Sequence, residues 1–157
     1  MAVNLRLLHD EDLDQLFAWE QEPRAVAMAA FTRADPSDRA AFDEHYRRIR
    51  DNPDTTLLAV DDDGRLVGSI GSFWMAGERE LTYWIDPSRW GRGLASAAVE
   101  AFLRIERTRR LFARVAEHNI GSTKVVIRSG FVEIGQETSY ADGVGRDVVE
   151  HIYRLDS

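Results

Sequence analysis

The sequence predicts a mixed α/β fold, in which a mostly antiparallel central sheet carries helices on both faces. Three observations lead to this prediction. Strand patterns separated by tight turns run from residue 55 to residue 85. A helical pattern and another strand follow, up to residue 116. The chain then closes with two more strand patterns after residue 131. We expect the 157 residues, 1–157, to form a single domain with a proper core.

The sequence of the first third of the chain predicts one strand followed by helices. Val3–Leu8 is a short strand, and Asp10 is predicted to cap a helix that Pro23 ends. The small apolar run Ala25–Phe31 is interpreted as a second, short helix. A third helix is predicted to begin at Asp35-Pro36-Ser37 and to run to about residue 51.

The remaining two thirds alternate strands with two helices. Asp63-Gly64 is a hairpin signal, because this dipeptide tolerates positive φ. Apolar residues at helical spacing follow Leu94, and a second helix is predicted after Asn119. Strands are predicted over 55–60, 65–74, 81–85, 111–116, 131–137 and 147–155.

The composition excludes several classes of function. The chain has no cysteine, which rules out a disulfide framework, a thiolate nucleophile and a thiolate zinc site. A net charge of -7 argues against nucleic-acid binding as the main role. The N-terminal residues lack an apolar signal core and no run approaches a membrane span, so a cytoplasmic location without membrane contact is expected. The Asp61–Asp63 cluster lacks the spacing of a calcium loop, and no metal is expected.

The strongest functional signal follows the strand 81–85, where the chain reads D-P-S-R-W-G-R-G-L-A-S from Asp86 to Ser96. Glycine lets the backbone approach a ligand closely, and a helix N-terminus offers free N–H groups and the positive end of the helix dipole. This combination suits a phosphate group. The loop is neither a Walker loop nor a dinucleotide loop, because Ser96 stands where the latter needs glycine or alanine after Gly93.

This loop resembles the pyrophosphate loop of the GCN5-related N-acetyltransferases, [Q/R]-x-x-G-x-[G/A]. Gly93 and Ala95 fill its last two positions, while Trp90 stands where the family usually has Gln or Arg. The form W-G-x-G-x-A after Y-W-I is similar to the branch that includes the ribosomal-protein alanine N-acetyltransferases. A second segment matches the family pattern N-x-x-[A/S]-x-x-hydrophobic-x-x-x-x-G-F at Asn119, Ser122, Val125, Gly130 and Phe131.

The resemblance implies the acyl-CoA N-acyltransferase fold, whose central strands splay apart around the pantetheine arm. It implies an acetyl-CoA-dependent N-acetyltransferase, with acetyl-CoA as co-substrate and no metal. The acetyl group would pass to a primary amine by direct attack in a ternary complex. The amine is either a protein N-terminus or a small molecule, and a homodimer is left open. A non-catalytic acyl-CoA-binding or regulatory module of the same fold is the alternative.

The resemblance also names the residues that would hold the cofactor. The end of the strand 81–85 would bond the pantetheine through its backbone and polarise the thioester carbonyl. Asn119 would contact the same arm, although it also suits a helix cap. Arg89 and Arg92 could add positive charge near the phosphates. The expected cofactor contacts are Tyr83, Trp84, Ile85, Trp90, Gly91, Arg92, Gly93, Leu94, Ala95, Ser96 and Asn119.

The catalytic residues are less well defined by the sequence. Glu80 is the first candidate for the general base, because it shares a strand face with Thr82 and Trp84 beside the expected thioester. Glu78 and His151 are the alternatives.

The general acid is where the chain departs from its relatives. Many members of the family carry a tyrosine seven residues after the asparagine, and Val126 occupies that position here. Ser122, on the first turn of the predicted helix, is the first candidate for the acid, because the resemblance implies that some members of the alanine N-acetyltransferase branch use a serine there; Tyr140 and solvent are the alternatives. A helix-end hydrogen bond would explain Ser122 equally well.

Overall fold

The structure is a computed structural model that describes residues 2–157. Seven strands form one sheet in the order β1-β2-β3-β4-β5-β7-β6. Within the described residues, β4 and β5 are the one parallel pair, and every other neighbouring pair is antiparallel. The strands are β1 (Val3–Leu7), β2 (Thr56–Asp62), β3 (Arg65–Met75), β4 (Glu78–Ile85), β5 (Leu111–Ala116), β6 (Val132–Ala141) and β7 (Arg146–Leu155).

Helices cover both faces of this sheet, which confirms the predicted mixed α/β class. The helices are α1 (Asp12–Trp19), α2 (Pro23–Ala29), α3 (Arg39–Asp51), α4 (Leu94–Leu103) and α5 (Ile120–Arg128). Residues of α4 and α5 pack with Leu81 and Ile85 of β4 in the larger core. Residues of α1 and α3 form a second core, against which Trp84 packs. Because neighbouring residues of a strand face opposite sides, Ile85 and Trp84 join the two different cores.

The two central strands separate part of the way along their length. β4 and β5 pair at Arg79 with Leu111 and at Glu80 with Phe112, and the pairing ends there. From Leu81 onward, β4 is paired with β3 alone. The strands thus open a gap beyond Glu80, as the expected splay requires. None of the helices between residues 2 and 157 is long and apolar enough to cross a membrane.

The predicted starts of the helices are partly wrong. Asp10 does not cap α1; its Oδ1 accepts a hydrogen bond from Nη1 of Arg50 at 2.6 Å. The carboxylate near this helix end is Asp12, whose Oδ2 accepts from the backbone N–H of His9 at 2.8 Å. Pro23 begins α2 instead of ending α1, a position that suits proline because the first helical N–H needs no partner. Asp38, and not Asp35, caps α3 by accepting from the N–H of Ala41 at 3.0 Å.

β4 and β6 each extend well beyond the predicted bounds at one end. β4 begins at Glu78, because the turn before it needs only Ala76 and Gly77, at φ of 50° and 80°. β6 continues to Ala141, four residues beyond the predicted end at residue 137. It is an edge strand whose residues are mostly exposed, so pairing with β7 holds it extended despite its polar sequence.

Candidate active site

A cavity of about 370 Å³ lies where the gap between β4 and β5 meets the first turns of α4 and α5. Residues of α2 close one side of it. Of the eleven expected cofactor contacts, ten line this cavity and Arg92 does not. The ten are Tyr83, Trp84, Ile85, Trp90, Gly91, Gly93, Leu94, Ala95, Ser96 and Asn119. The residues selected from two separate stretches of sequence therefore surround one cavity.

The N-terminus of α4 opens into this cavity without a side-chain cap. Gly93 precedes the helix at a φ of 78°, in the left-handed region that favours glycine. Gly93 has no side chain that could accept a hydrogen bond from the first turn, whereas Asp38 caps α3 and Asn119 caps α5. The first N–H groups of a helix have no partner within the helix and carry the positive end of its dipole. This end of α4 is therefore suited to an anion such as a phosphate group.

Trp90 is fixed by the strand that precedes it. Its indole Nε1 donates to the backbone carbonyl of Ile85 at 3.1 Å, and the guanidinium of Arg24 lies 5.7 Å from its ring centre. Arg89 lines the cavity while its Nε lies 3.4 Å from Oδ2 of Asp86. Trp90 thus links the loop to the end of β4 by a hydrogen bond, in the position where relatives were expected to carry Gln or Arg.

Sequence reasoning missed two basic residues, Lys124 and Arg128, which line the cavity from α5. Gly121 and Val125 face the cavity with Arg128, at a spacing of i, i+4 and i+7. This spacing marks one face of a helix, and it could have been read from the sequence. Together with Arg89, these side chains place three positive charges around a cavity in a chain whose net charge is -7.

Asn119 and Ser122 lie at the start of α5 and line the same cavity as the end of β4. Oδ1 of Asn119 accepts from the backbone N–H of Ser122 at 3.2 Å, so the capping role is present. Oγ of Ser122 accepts a hydrogen bond from the hydroxyl of Tyr83 at 2.9 Å. Val126, where relatives were expected to carry tyrosine, is fully buried in the core and does not line the cavity. Besides Ser96 at the start of α4, the hydroxyl side chains that line the cavity are therefore those of Ser122 and Tyr83.

Glu80 lies at the last paired position before the gap, outside the group of cavity-lining residues. It is 3% exposed, so it is not a solvated strand residue. Its Oε1 lies 3.2 Å from Nε of Arg114, whose Nη1 reaches Glu137 at 2.9 Å and Glu150 at 3.5 Å. Burial raises the pKa of Glu80, and the hydrogen bond from Arg114 opposes that rise. A carboxylate with a raised pKa is a stronger base.

The other catalytic candidates occupy less suitable places. Both ring nitrogens of His151 face carboxylates, with Nδ1 2.9 Å from Glu133 and Nε2 3.2 Å from Glu117. The hydrogen bond to Glu133, and to a lesser degree that to Glu117, raises the pKa of His151, which favours the protonated form of its ring over a base. Tyr140 is 60% exposed on β6 and does not line the cavity. Between residues 2 and 157, no cluster of His, Asp and Glu side chains is arranged to hold a metal ion.

Comparison with known families agrees with this architecture. The acetyltransferase (GNAT) domain matches residues 2–132, which is most of the chain. The chain therefore belongs to the GNAT acetyltransferase family. None of the curated protein sequences compared with it matches significantly.

Solved structures with the same fold cover almost the whole chain. A spermidine N-acetyltransferase from Vibrio cholerae, solved with CoA and spermine, has a TM-score of 0.78 at 19% identity. The alignment covers 98% of this chain and 95% of the Vibrio chain. A ribosomal-protein-alanine N-acetyltransferase from Brucella melitensis has a TM-score of 0.74 at 20% identity, with coverages of 98% and 99%. RimL, a ribosomal L7/L12 α-N-protein acetyltransferase solved with coenzyme A, has a TM-score of 0.75 at 16% identity, with coverages of 99% and 96%.

Proposed function

We propose that this protein transfers the acetyl group of acetyl-CoA to a primary amine, by direct attack in a ternary complex. One observation carries the proposal: the pairing of β4 with β5 stops at Glu80, and the uncapped N-terminus of α4 opens into the cavity at that gap. A long, thin substrate with a phosphate-bearing end fits such a site. The family supports the reaction class, and the neighbours solved with coenzyme A support the co-substrate.

The residues present fit coenzyme A. The free N–H groups of α4 and the basic side chains Arg89, Lys124 and Arg128 would hold its phosphate groups. The backbone of β4 beyond Glu80 has lost β5 as its partner, so its N–H and C=O groups on that side are free for the pantetheine amides and the thioester carbonyl. A carbonyl that accepts such a hydrogen bond is more readily attacked.

The chemistry needs a base for the ammonium group and an acid for the leaving thiolate. We assign the base to Glu80, because it is buried at the start of the gap and burial raises its pKa. Glu78, two residues earlier on the same face of β4, is the second candidate. We assign the acid to Ser122 rather than Tyr140, because Ser122 lines the cavity and Tyr140 does not.

The charges around Glu80 favour a cationic acceptor. Arg114 contacts three carboxylates, those of Glu80, Glu137 and Glu150, so the group as a whole carries excess negative charge. An ammonium ion approaching Glu80 would be attracted to this group. Both a protein N-terminal amine and a small-molecule amine satisfy this condition, and solved structures named as spermidine and α-N-protein acetyltransferases share the fold. A cytoplasmic location stays a prediction.

The proposal is tested in two steps with the whole chain. Thermal unfolding is first measured with and without acetyl-CoA, because a ligand that binds the folded state raises the unfolding temperature. Release of free thiol is then measured with a panel that contains polyamines, amino-acid amines and peptide N-termini. We expect stabilisation and turnover on at least one amine class. Stabilisation without turnover would favour a regulatory module, and no stabilisation would contradict both.

A further inference from the structure

The hydroxyl groups of Tyr83 and Ser122 form a bridge from β4 to α5 at the cavity. The two oxygen atoms are 2.9 Å apart, and both residues line the cavity. Tyr83 lies three residues beyond Glu80, where β4 has separated from β5. The bridge therefore lies along the gap in which the thioester would sit.

Ser122 behaves differently from the other hydroxyl residues of its helix. Thr123 donates its side-chain hydroxyl to the carbonyl of Asn119 at 3.1 Å, and Ser129, at the end of α5, donates to Val125 at 2.9 Å. These bonds to the carbonyl four residues earlier are the usual arrangement for such residues in a helix. Ser122 instead accepts from Tyr83. A hydroxyl has one proton to donate, so accepting from Tyr83 leaves that of Ser122 free for another partner.

We propose that Tyr83 is a positioning residue that holds Ser122 and supplies, through it, the proton taken by the thiolate of coenzyme A. This inference rests on the proposed acetyl transfer. It goes further by naming a source for the proton in a site where Val126 replaces the tyrosine expected from the family resemblance. It also gives a role to the side chain of Tyr83, a residue that was expected to contact the cofactor through its backbone alone.

The proposed step begins when the amine nitrogen, after losing one proton to Glu80, attacks the thioester carbonyl carbon. The carbon–sulfur bond breaks, and its electron pair stays on sulfur. Sulfur takes the hydroxyl proton of Ser122 while Oγ of Ser122 takes the hydroxyl proton of Tyr83. Tyr83 recovers a proton from solvent, and Glu80 returns its proton to solvent. The second proton of the amine also leaves to solvent, so one proton is released overall.

The order of acidities explains why two hydroxyl groups are needed. An aliphatic hydroxyl is a far weaker acid than a phenol, whose ordinary pKa is about 10. Burial raises the pKa of Tyr83, while its hydrogen bond with Ser122 lowers it. Tyr83 is therefore protonated at neutral pH and can supply the proton that Ser122 passes on. Ser122 accepts this proton from Tyr83 and donates its own proton into the cavity.

The test compares Tyr83→Phe, Ser122→Ala and the double variant with wild type. Tyr153→Phe is the matched control, because Tyr153 is buried in the same core, 3% exposed, and does not line the cavity. Turnover per folded molecule is measured beside the affinity for CoA. We expect each single variant to lose about 10- to 100-fold in kcat with unchanged CoA affinity. The double variant should lose no more than Ser122→Ala, because both residues act in one step.

A second donor separates proton supply from simple packing. An acetyl thioester of a more acidic thiol needs no acid for its leaving group, so it should restore most of the rate of Tyr83→Phe. Unchanged kcat in Tyr83→Phe, independent losses that multiply in the double variant, or a loss that the acidic donor does not restore would each overturn the inference. If Tyr83→Phe does not fold, full activity in Ser122→Ala overturns it equally. Absence of turnover in wild type would instead contradict the proposed function.

Discussion

Glu80 and Tyr83 lie three residues apart on β4 and point to opposite faces of the sheet. Glu80 contacts Nε of Arg114 at 3.2 Å, whereas Tyr83 reaches Ser122 of α5 at 2.9 Å. The register of β4 with β3 is regular from Glu78 to Ile85, so the strand alternation holds between them. A thioester in the gap would therefore meet the proposed base on one side and the hydroxyl bridge on the other. With the proposed roles, the entering amine and the leaving thiolate would lie on opposite sides of the reacting carbon.

Substitution of Gly93 should prevent CoA binding. In Gly93→Val, a side chain at a φ of 78° strains the backbone and displaces the N–H groups at the start of α4. Gly77→Val is the matched control, because Gly77 has a φ of 80°, lies in the β3–β4 turn and has open space where a Cβ would lie. We expect similar losses of stability in both variants, of about 1–2 kcal/mol. Calorimetric titration with CoA should show weaker binding in Gly93→Val alone; equal affinity in both variants would place the phosphate site elsewhere.

Removal of the proposed base should change the pH dependence of turnover. Glu80→Gln should lower kcat at neutral pH by about 10²-fold with little effect on CoA affinity, because a base acts on the amine. Since burial raises the pKa of Glu80, wild-type turnover should rise with pH as this carboxyl group ionises. The defect of Glu80→Gln should shrink at high pH, where the amine is already neutral. If Glu78→Gln shows this behaviour and Glu80→Gln does not, Glu78 is the base.

His151 should titrate above its ordinary pKa of 6.5, because hydrogen bonds to Glu133 and Glu117 favour its protonated form. A raised folded-state pKa means that the stabilising contribution is complete below pH 6.5 and is lost as the pH rises through the folded-state value. NMR titration of the imidazole should therefore show a higher pKa in wild type than in Glu133→Gln, with a smaller change in Glu117→Gln. An unshifted titration in wild type would leave His151 available as a base.

Glu106, which does not line the cavity, should stabilise the fold. Burial opposes its ionisation, but hydrogen bonds from Ser72, Arg79 and Thr108 outweigh burial and lower its pKa to about 2. This contribution is present above pH 4.5 and is lost as the pH falls toward 2. Glu106→Gln should cost about 3 kcal/mol at neutral pH, since Arg79, 6% exposed, would lose its charged partner.

The control for Glu106 is an exposed carboxylate in an ion pair. Glu100 pairs with Arg104 at 2.9 Å, and both side chains are 72% exposed. Glu100→Gln should change the free energy of unfolding by less than about 0.5 kcal/mol. Chemical denaturation at several pH values measures both variants. Equal and small effects of the two substitutions would show that the buried pair contributes no more than a surface pair.

The sequence predicted the parts of the fold that depend on local patterns. β5 was predicted at its observed bounds, residues 111–116, because a short apolar strand flanked by polar turns has a strong local signal. The position of β7 between β5 and β6 was not predicted, because strand order depends on pairings between distant segments. The end of β6 was missed for the same reason, since its polar residues are held extended by β7.

The candidate site was predicted to a similar degree. Asn119 and the loop from Gly91 to Ser96, except Arg92, were predicted from two motifs and line the cavity, because backbone geometry at a helix start has a recognisable sequence. The bridge between Tyr83 and Ser122 was not predicted, since it joins residues 39 positions apart. The contact of Glu80 with Arg114, and of Arg114 with Glu150, was likewise not predicted, because Arg114 and Glu150 belong to two other strands. Contacts of this kind arise from tertiary packing and carry no local signal.

The most direct test of the central claim is a rapid-quench measurement of both products. Enzyme is mixed with acetyl-CoA, with and without an amine that supports turnover, and free thiol and acetylated amine are quantified from the same samples. Direct transfer in a ternary complex predicts that thiol appears only when the amine is present, in equal amount with the acetylated product. A burst of thiol without amine, or thiol without acetylated product, would contradict the account.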